Sequence, residues 1–215
     1  MKHNKTLILL VHGFFRNYKD MSILKNYLSD FGYDTHTVNL PTTFQTLETI
    51  YTRFKEQLIS IETTNYTKIH LVGHSMGGLI IRYYLSKHKI PKLGRCVFIG
   101  TPNKGTRLAD IGLKIPLMPQ TLKPIKALHS EATAIDLPQN DPIPDIGIIA
   151  GSNHRLLTGC FLKKPNDGRV EVEATKLDAP LMKDFVVLNY VHTKIHKKKT
   201  TAQLLYHFLE FGQFQ

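Results

Sequence analysis

Short apolar runs that alternate with helical patterns restrict the folds open to this chain. Six runs occupy residues 6–11, 33–39, 68–73, 94–100, 145–151 and 183–189. Several are almost continuously hydrophobic, as is typical of parallel strands buried on both faces. Apolar residues recur at helical spacing in the intervening stretches 21–31, 47–61, 76–84 and 200–211. The alternation predicts a doubly wound α/β sheet of about six mostly parallel strands with helices on both faces.

A Gly-His-Ser-Met-Gly pentapeptide at residues 73–77 lies between the third apolar run and a helical pattern. A serine at such a strand-to-helix junction takes a strained backbone conformation. Glycines two residues before and two residues after it let neighbouring backbone pass close by. The pentapeptide therefore predicts a nucleophile elbow, with the Ser75 hydroxyl exposed at the end of the sheet.

A serine hydroxyl is a poor nucleophile until a base takes its proton, so Ser75 needs a histidine. In folds with this elbow, the histidine follows the last strand and precedes the last helix. His192 and His196 fit this position, whereas His207 falls inside the predicted final helix. His196 lies among lysines, whose charge would disfavour protonation. We therefore predict His192 as the base and keep His196 as the alternative.

The acid that orients this histidine should lie in the loop after the penultimate strand. Asp167 lies there within Pro-Asn-Asp-Gly-Arg-Val, whose turn-forming residues could present a carboxylate, although the same residues could form a plain turn. Weaker candidates are Asp145, Asp178 and Asp184, which adjoin predicted strands, and Asp136 and Asp141, which lie in a proline-rich segment.

If Ser75 attacks an acyl group, the carbonyl oxygen becomes negatively charged, and this oxyanion requires two amide donors. One is predicted to be the N–H of Met76, the residue after the nucleophile. The other is predicted to be the N–H of Phe14 in the loop after the first strand, where Gly13 permits the turn. The side chains of His12 and His74 are interpreted as structural.

Five motifs together carry a family resemblance. They are Leu-Val-His-Gly-Phe at 10–14, Val-Gly-His-Ser-Met-Gly-Gly-Leu at 72–79, Gly-Thr-Pro-Asn-Lys-Gly-Thr at 100–106, Asn-Asp-Gly-Arg-Val at 166–170 and His-Thr-x-Ile at 192–195. The chain resembles the α/β-hydrolase superfamily from end to end, and is most similar to its small bacterial lipase and esterase branch. The resemblance implies a minimal six-stranded α/β-hydrolase fold and ester hydrolysis through an acyl-serine intermediate, with no cofactor and no metal. Asn103 departs from the branch, which often has histidine there.

The segment 105–144 interrupts the alternation. It carries six of the 11 prolines, which interrupt regular elements, so we predict an irregular insertion within a single domain spanning 1–215. The sequence leaves open whether the insertion is a cap over Ser75 or an ordinary connection. Its apolar residues suggest recognition of an acyl chain.

The net charge is +11, and the densest basic cluster contains Lys194, Lys197, Lys198 and Lys199 with His192 and His196. The cluster lacks interleaved aromatic residues and a nucleic-acid motif, so we interpret it as a solvated face and expect no nucleic-acid partner. Peripheral attraction to an anionic membrane is a second interpretation.

Two cysteines give no disulfide framework, and no signal peptide or transmembrane segment is evident, so we expect a cytoplasmic protein.

The sequence thus predicts a serine hydrolase that cleaves a small-molecule or lipid carboxylic ester. A thioesterase or acyltransferase would use the same residues, because fold does not decide the acyl acceptor. A non-catalytic lipid- or protein-binding scaffold is disfavoured, because serine, acid and histidine occur in the expected order. No feature of the sequence predicts an oligomeric state.

Overall fold

One parallel sheet forms the centre of the molecule. The computed structural model describes residues 5–61, 65–129 and 144–215. Its strands are β1 (Thr6–Val11), β2 (Asp34–Val38), β3 (Lys68–His74), β4 (Leu93–Ile99), β5 (Ile146–Gly151) and β6 (Met182–Leu188). Within these residues all six pair in parallel, in the order β2-β1-β3-β4-β5-β6. The predicted α/β sheet is confirmed, and each strand lies within one residue of its predicted bounds.

Seven helices accompany the sheet in the described residues. Four follow the predicted stripes: α1 (Ser22–Asp30), α2 (Leu47–Ser60), α3 (Met76–Leu85) and α7 (Lys199–Phe211). Three are short: α4 (Arg107–Leu113), α5 (Met118–Thr121) and α6 (Val172–Thr175). Single 3-10 turns occupy Tyr18–Met21, Lys123–Leu128, Leu157–Phe161 and Ile195–Lys197.

The sheet separates two hydrophobic cores. Alternate residues of a strand point to opposite faces, so Leu9 and Val11 of β1 pack with α2 and α3 while Ile8 and Leu10 pack with α1 and α7. All four side chains are fully buried. Helices thus cover both faces, which explains why the strands are hydrophobic along their whole length.

The chain reverses its direction across the sheet at β1. β2 pairs with one edge of β1, and β3 pairs with the other. In open α/β sheets, such a reversal opens a crevice at the carboxyl ends of the two strands where ligands bind. The end of β1 leads into His12 and Gly13, and the end of β3 leads into Ser75.

The proline-rich segment is less irregular than the sequence predicts. Its described residues form α4, α5 and one 3-10 turn, because Pro119 and Pro124 occupy the first turn of α5 and of the 3-10 turn. A proline is tolerated there, since the first-turn N–H groups have no helical acceptor. Residues 130–143 of the segment lie outside the described part of the chain.

The predicted solvated basic face is not continuous. His192 and His196 are buried, and the Lys197 ammonium lies 2.5 Å from a carboxylate oxygen of Asp20. Lys194 and Lys199 of the cluster are exposed, and Lys197 and Lys198 are partly buried. The charge is therefore divided between the surface and a partly buried ionic contact.

No helix in the described residues combines the length and the apolar character needed to cross a bilayer.

Gly77 tests the contact between α3 and the end of β1. A Cβ added there would lie 2.2 Å from the Val11 carbonyl oxygen, a backbone atom that cannot rotate away. We expect Gly77→Ala to lower the free energy of unfolding by about 3 kcal/mol, at the upper end for overpacking. Urea denaturation followed by circular dichroism measures the change.

Gly112→Ala on α4 is the matched control. Its added Cβ would meet the tip of the Ile125 side chain at 2.3 Å, which can adopt another rotamer. The gain in helix propensity of about 1 kcal/mol offsets part of that crowding. Equal destabilisation by the two substitutions would contradict the assigned backbone contact.

Candidate active site

Ser75 occupies a strained turn between β3 and α3. Its φ of 55° and ψ of −126° lie outside the regions that non-glycine residues normally adopt. Its amide donates to the Ile99 carbonyl at 2.9 Å, which ties the turn to β4. The serine hydroxyl is thereby held at the carboxyl end of β3.

The structure brings Ser75, His192 and Asp167 together. His192 Nε2 lies 3.0 Å from Ser75 Oγ, and His192 Nδ1 lies 2.7 Å from Asp167 Oδ2. Asp167 is fully buried, and Ser75 and His192 are exposed by 9% and 4%. The three residues come from the β3–α3, β5–β6 and β6–α7 connections, the positions expected from the sequence.

The hydrogen bonds determine the tautomer of His192. An ionised carboxylate only accepts hydrogen bonds, so Nδ1 carries the proton and donates to Asp167. Nε2 then has a free lone pair and accepts from the Ser75 hydroxyl. This arrangement can take the serine proton as the oxygen attacks an electrophile.

The Asn-Asp-Gly turn orients the Asp167 carboxylate. Its Oδ1 accepts from the amides of Arg169 at 2.9 Å and Val170 at 2.8 Å. The other oxygen, Oδ2, is left for His192, whose own amide donates to the Asp167 carbonyl at 2.9 Å. The two interpretations of this sequence, a plain turn and a presented acid, therefore describe the same structure.

Gly100 leaves space for the hydrogen bond between Asp167 and His192. Its φ of +57° favours glycine, and a Cβ there would lie 3.3 Å from both Asp167 Oδ2 and His192 Nδ1. A side chain at this position would therefore crowd the hydrogen bond between the carboxylate and the imidazole.

The loop after β1 lies beside Ser75 and is held by two side chains. His12 Nε2 accepts from the Leu40 amide at 3.1 Å, so Nδ1 carries the proton and donates to the Gly13 carbonyl. Burial lowers the pKa of His12, which favours this neutral form. Thr42 Oγ1 also donates to the Gly13 carbonyl, at 2.9 Å. These contacts agree with the interpretation of His12 as structural.

Two amides near Ser75 can donate to a ligand. Met76 begins α3, so its N–H has no acceptor within the helix. Phe14 N–H has no acceptor among residues 5–61, 65–129 and 144–215. These are the donors predicted from the sequence for an oxyanion.

A cavity of about 140 Å³ adjoins Ser75 and His192. Part of its wall is apolar and is formed by Phe14, Pro102, Leu108, Ala109, Ile125, Leu128 and Val170. Four of these residues belong to the segment 105–144, so its described part contributes to the wall. Arg16 and Arg169 also line the cavity.

His196, the alternative base, lies away from the Ser75 hydroxyl. Its Nε2 is 3.0 Å from Asp20 Oδ2, and its ring stacks on His74 with centroids 3.8 Å apart. His74 Nε2 in turn donates to the His192 carbonyl at 3.1 Å. The prediction that His74 is structural agrees with these contacts, and the geometry favours His192 over His196 beside Ser75.

Burial disfavours the charged forms of the side chains in the cluster formed by Asp20, His74 and His196. Burial, together with His196 and His192, lowers the pKa of His74 well below its usual value. Burial also lowers the pKa of His196, against the opposing effect of Asp20. Burial alone would raise the pKa of Asp20, but contacts with His196 and Lys197 outweigh it and hold that pKa low.

Asp20, His74 and His196 also form a group whose ligand atoms all lie within 4.8 Å of one another. A shared metal ion would require the ring nitrogens to converge on one point within their ring planes. The two rings are instead stacked, with 29° between their planes, and Lys197 already supplies a cation to Asp20. The group is better described as a packed ionic contact than as a metal centre.

The weaker acid candidates are engaged elsewhere or undescribed. Asp145 contacts Arg95 at 3.2 Å, and Asp178 contacts Lys104 at 3.3 Å. Asp184 accepts from the amides of Phe185 and Phe214. Asp136 and Asp141 lie outside the described residues.

Three charged residues near the site were not singled out from the sequence. Arg16 and Arg169 each lie two residues beyond a predicted site residue, Phe14 or Asp167, and loop neighbours of that kind could have been considered. Asp20 offers no such signal, because its contact with His196 joins residues 176 positions apart.

The parallel sheet, the strained serine turn and the adjoining imidazole and carboxylate define an α/β hydrolase architecture. The chain belongs to the alpha/beta hydrolase fold family, whose sequence profile matches residues 6–123. No curated protein sequence matches the chain significantly.

Solved structures share this fold. A mature Bacillus licheniformis lipase is 19% identical, with a TM-score of 0.79 over 97% of this chain and 92% of that one. A metagenomic carboxyl esterase is 16% identical, with a TM-score of 0.71 over 89% and 66%. Staphylococcus hyicus lipase is 14% identical, with a TM-score of 0.69 over 97% and 95%. At these identities the likeness establishes the fold.

The buried histidines make stability depend on pH. His74 and His196 have lowered pKa values when folded, so the unfolded chain binds more protons below about pH 6.5. We expect the contribution of these neutral histidines to the free energy of unfolding to be complete above that pH. The free energy of unfolding should then fall as the pH drops towards 5. Urea denaturation at about pH 7.5, 6 and 5 measures this slope.

His74→Gln should flatten part of this dependence, since glutamine retains a donor for the His192 carbonyl but does not titrate. His154→Asn, at an exposed loop position, should leave the slope unchanged. An unaltered slope in His74→Gln would show that His74 does not contribute to the pH dependence of stability.

Proposed function

We propose that the protein is a serine hydrolase that cleaves carboxylic esters through an acyl-serine intermediate. The proposal rests on one observation above all: the continuous hydrogen-bonded series from Ser75 through His192 to Asp167, with contacts of 3.0 and 2.7 Å. The amides of Phe14 and Met76 and the partly apolar cavity support it. Ser75 is the proposed nucleophile, His192 the base and Asp167 the acid.

In the proposed reaction, Ser75 Oγ attacks the ester carbonyl carbon as His192 Nε2 takes the serine proton. Asp167 stabilises the imidazolium that forms, and the amides of Phe14 and Met76 bind the negative oxygen of the tetrahedral intermediate. The intermediate collapses when the alcohol oxygen leaves with the proton from His192. Water then attacks the acyl-serine by the same steps and releases the acid.

The apolar cavity wall supports an acyl chain as the recognised group. The fold neighbours described as lipases and a carboxyl esterase are consistent with this chemistry. A thioester, or an acceptor other than water, would use the same residues. Activity on acyl thioesters that exceeds activity on matched oxygen esters would favour a thioesterase.

Hydrolysis of p-nitrophenyl esters from acetate to palmitate tests the proposal. Wild-type protein should release nitrophenol, and the preferred chain length should reflect the cavity. Ser75→Ala should abolish release while its thermal unfolding stays near that of the wild type, since only one hydroxyl is removed. Near-normal activity in folded Ser75→Ala would exclude Ser75 as the nucleophile.

The two histidines should respond differently to substitution. His192→Ala should lower kcat by about 10³-fold or more, because it removes the base. His196→Ala should retain kcat within about tenfold and should lower the thermal midpoint, because His196 is buried against His74 and Asp20. Assays corrected for the folded fraction separate the two effects, and the opposite ranking would transfer the role of base to His196.

A further inference from the structure

Two arginines share the cavity of the proposed nucleophile. Arg16 follows the β1 loop that carries Phe14, and Arg169 follows Asp167 in the acid turn. Both side chains line the cavity that contains Ser75 and His192. Two cations from separate loops thus line the same cavity.

No carboxylate belongs to the described lining of this cavity. Asp167 is engaged with His192 and with the amides of its own turn. Asp20 lies 3.8 Å from Arg16 Nε, a long contact, while Lys197 and His196 approach it to 2.5 and 3.0 Å. The cavity therefore carries an excess of positive charge.

The Arg169 side chain is not required to build the acid turn. The turn uses its main chain: the amide donates to Asp167, and the carbonyl accepts from Thr106 Oγ1 at 2.7 Å. Burial and the charge of Arg16 lower the pKa of the Arg169 guanidinium, and the Asp167 carboxylate opposes this shift without cancelling it. An anionic ligand would relieve the repulsion between the two arginines.

The chemistry of arginine indicates which anion. A guanidinium presents parallel N–H donors that match two oxygens of a phosphate or a carboxylate. The apolar part of the wall, which includes Leu108, Ile125 and Leu128, suits a hydrocarbon chain. The cavity thus combines an anion-binding end with a hydrophobic wall.

We infer that the preferred substrate is an ester bearing a fixed negative charge, a phosphate or a carboxylate, held by Arg16 and Arg169. This inference rests on the proposed function and narrows its substrate class. It distinguishes the site from one that takes neutral esters alone.

Binding to Ser75→Ala tests the inference without requiring turnover. Calorimetry with decyl phosphate, decanoate and decanol compares a phosphate, a carboxylate and a neutral group on the same chain. We expect at least one anion to bind about tenfold or more tightly than decanol. The tighter of the two identifies the anion.

Arg16→Gln and Arg169→Gln, each combined with Ser75→Ala, should reduce that preference to about threefold or less. Arg53→Gln is the matched control, because Arg53 is exposed on α2 and paired with Glu56. The control should bind all three ligands unchanged. Equal binding of anions and decanol, or a preference that survives both substitutions, would overturn the inference.

Activity separates this inference from the proposed function. With Ser75 intact, mono-p-nitrophenyl glutarate should be cleaved with a higher kcat/KM than p-nitrophenyl hexanoate, and the ratio of the two kcat/KM values should fall towards one in each arginine variant. Cleavage of both esters with no anion preference would refute the inference and leave the esterase proposal standing. Arginine-dependent anion binding without cleavage of any ester would refute the esterase proposal and retain the anion site.

Discussion

The parallel pairing of β1 with both β2 and β3 is the constraint on which the rest of the molecule depends. Because the chain reverses at β1, the carboxyl ends of β1 and β3 lie side by side. The loop containing Phe14 and the turn containing Ser75 are thereby neighbours. Gly77 then lets α3 approach the end of β1, which places the elbow directly against that strand.

Electrostatics around Ser75 follow from how each charge is satisfied. Asp167 is fully buried, and hydrogen bonds from the turn amides and from His192 offset the desolvation cost of its carboxylate. Asp20 contacts Lys197 and His196, and His196 stacks on His74. Arg16 and Arg169 have no comparable partners among the described cavity residues. These two cations supply the positive charge on which the proposed anionic substrate depends.

Much of the fold was predictable because buried parallel strands are hydrophobic throughout and helices carry regular stripes. Ser75, Asp167 and His192 could be proposed because each lies in the loop after a predicted strand, in the order serine, acid, histidine that is expected with this elbow. Other features depend on distant contacts. His196 lies in a lysine-rich stretch, yet it is buried by Asp20 and His74 from elsewhere in the chain. Helices in the proline-rich segment were missed because the first turn tolerates proline.

The bond from His74 to the main chain of His192 closes a ring. Its path runs from Ser75 through the peptide bond to His74, across to the His192 carbonyl, and back through the imidazole to the Ser75 hydroxyl. A closed ring restrains the two loops relative to each other, because neither can shift without straining one of its hydrogen bonds. The proposed proton transfer from Ser75 Oγ to His192 Nε2 would therefore not have to await an encounter between two independent segments.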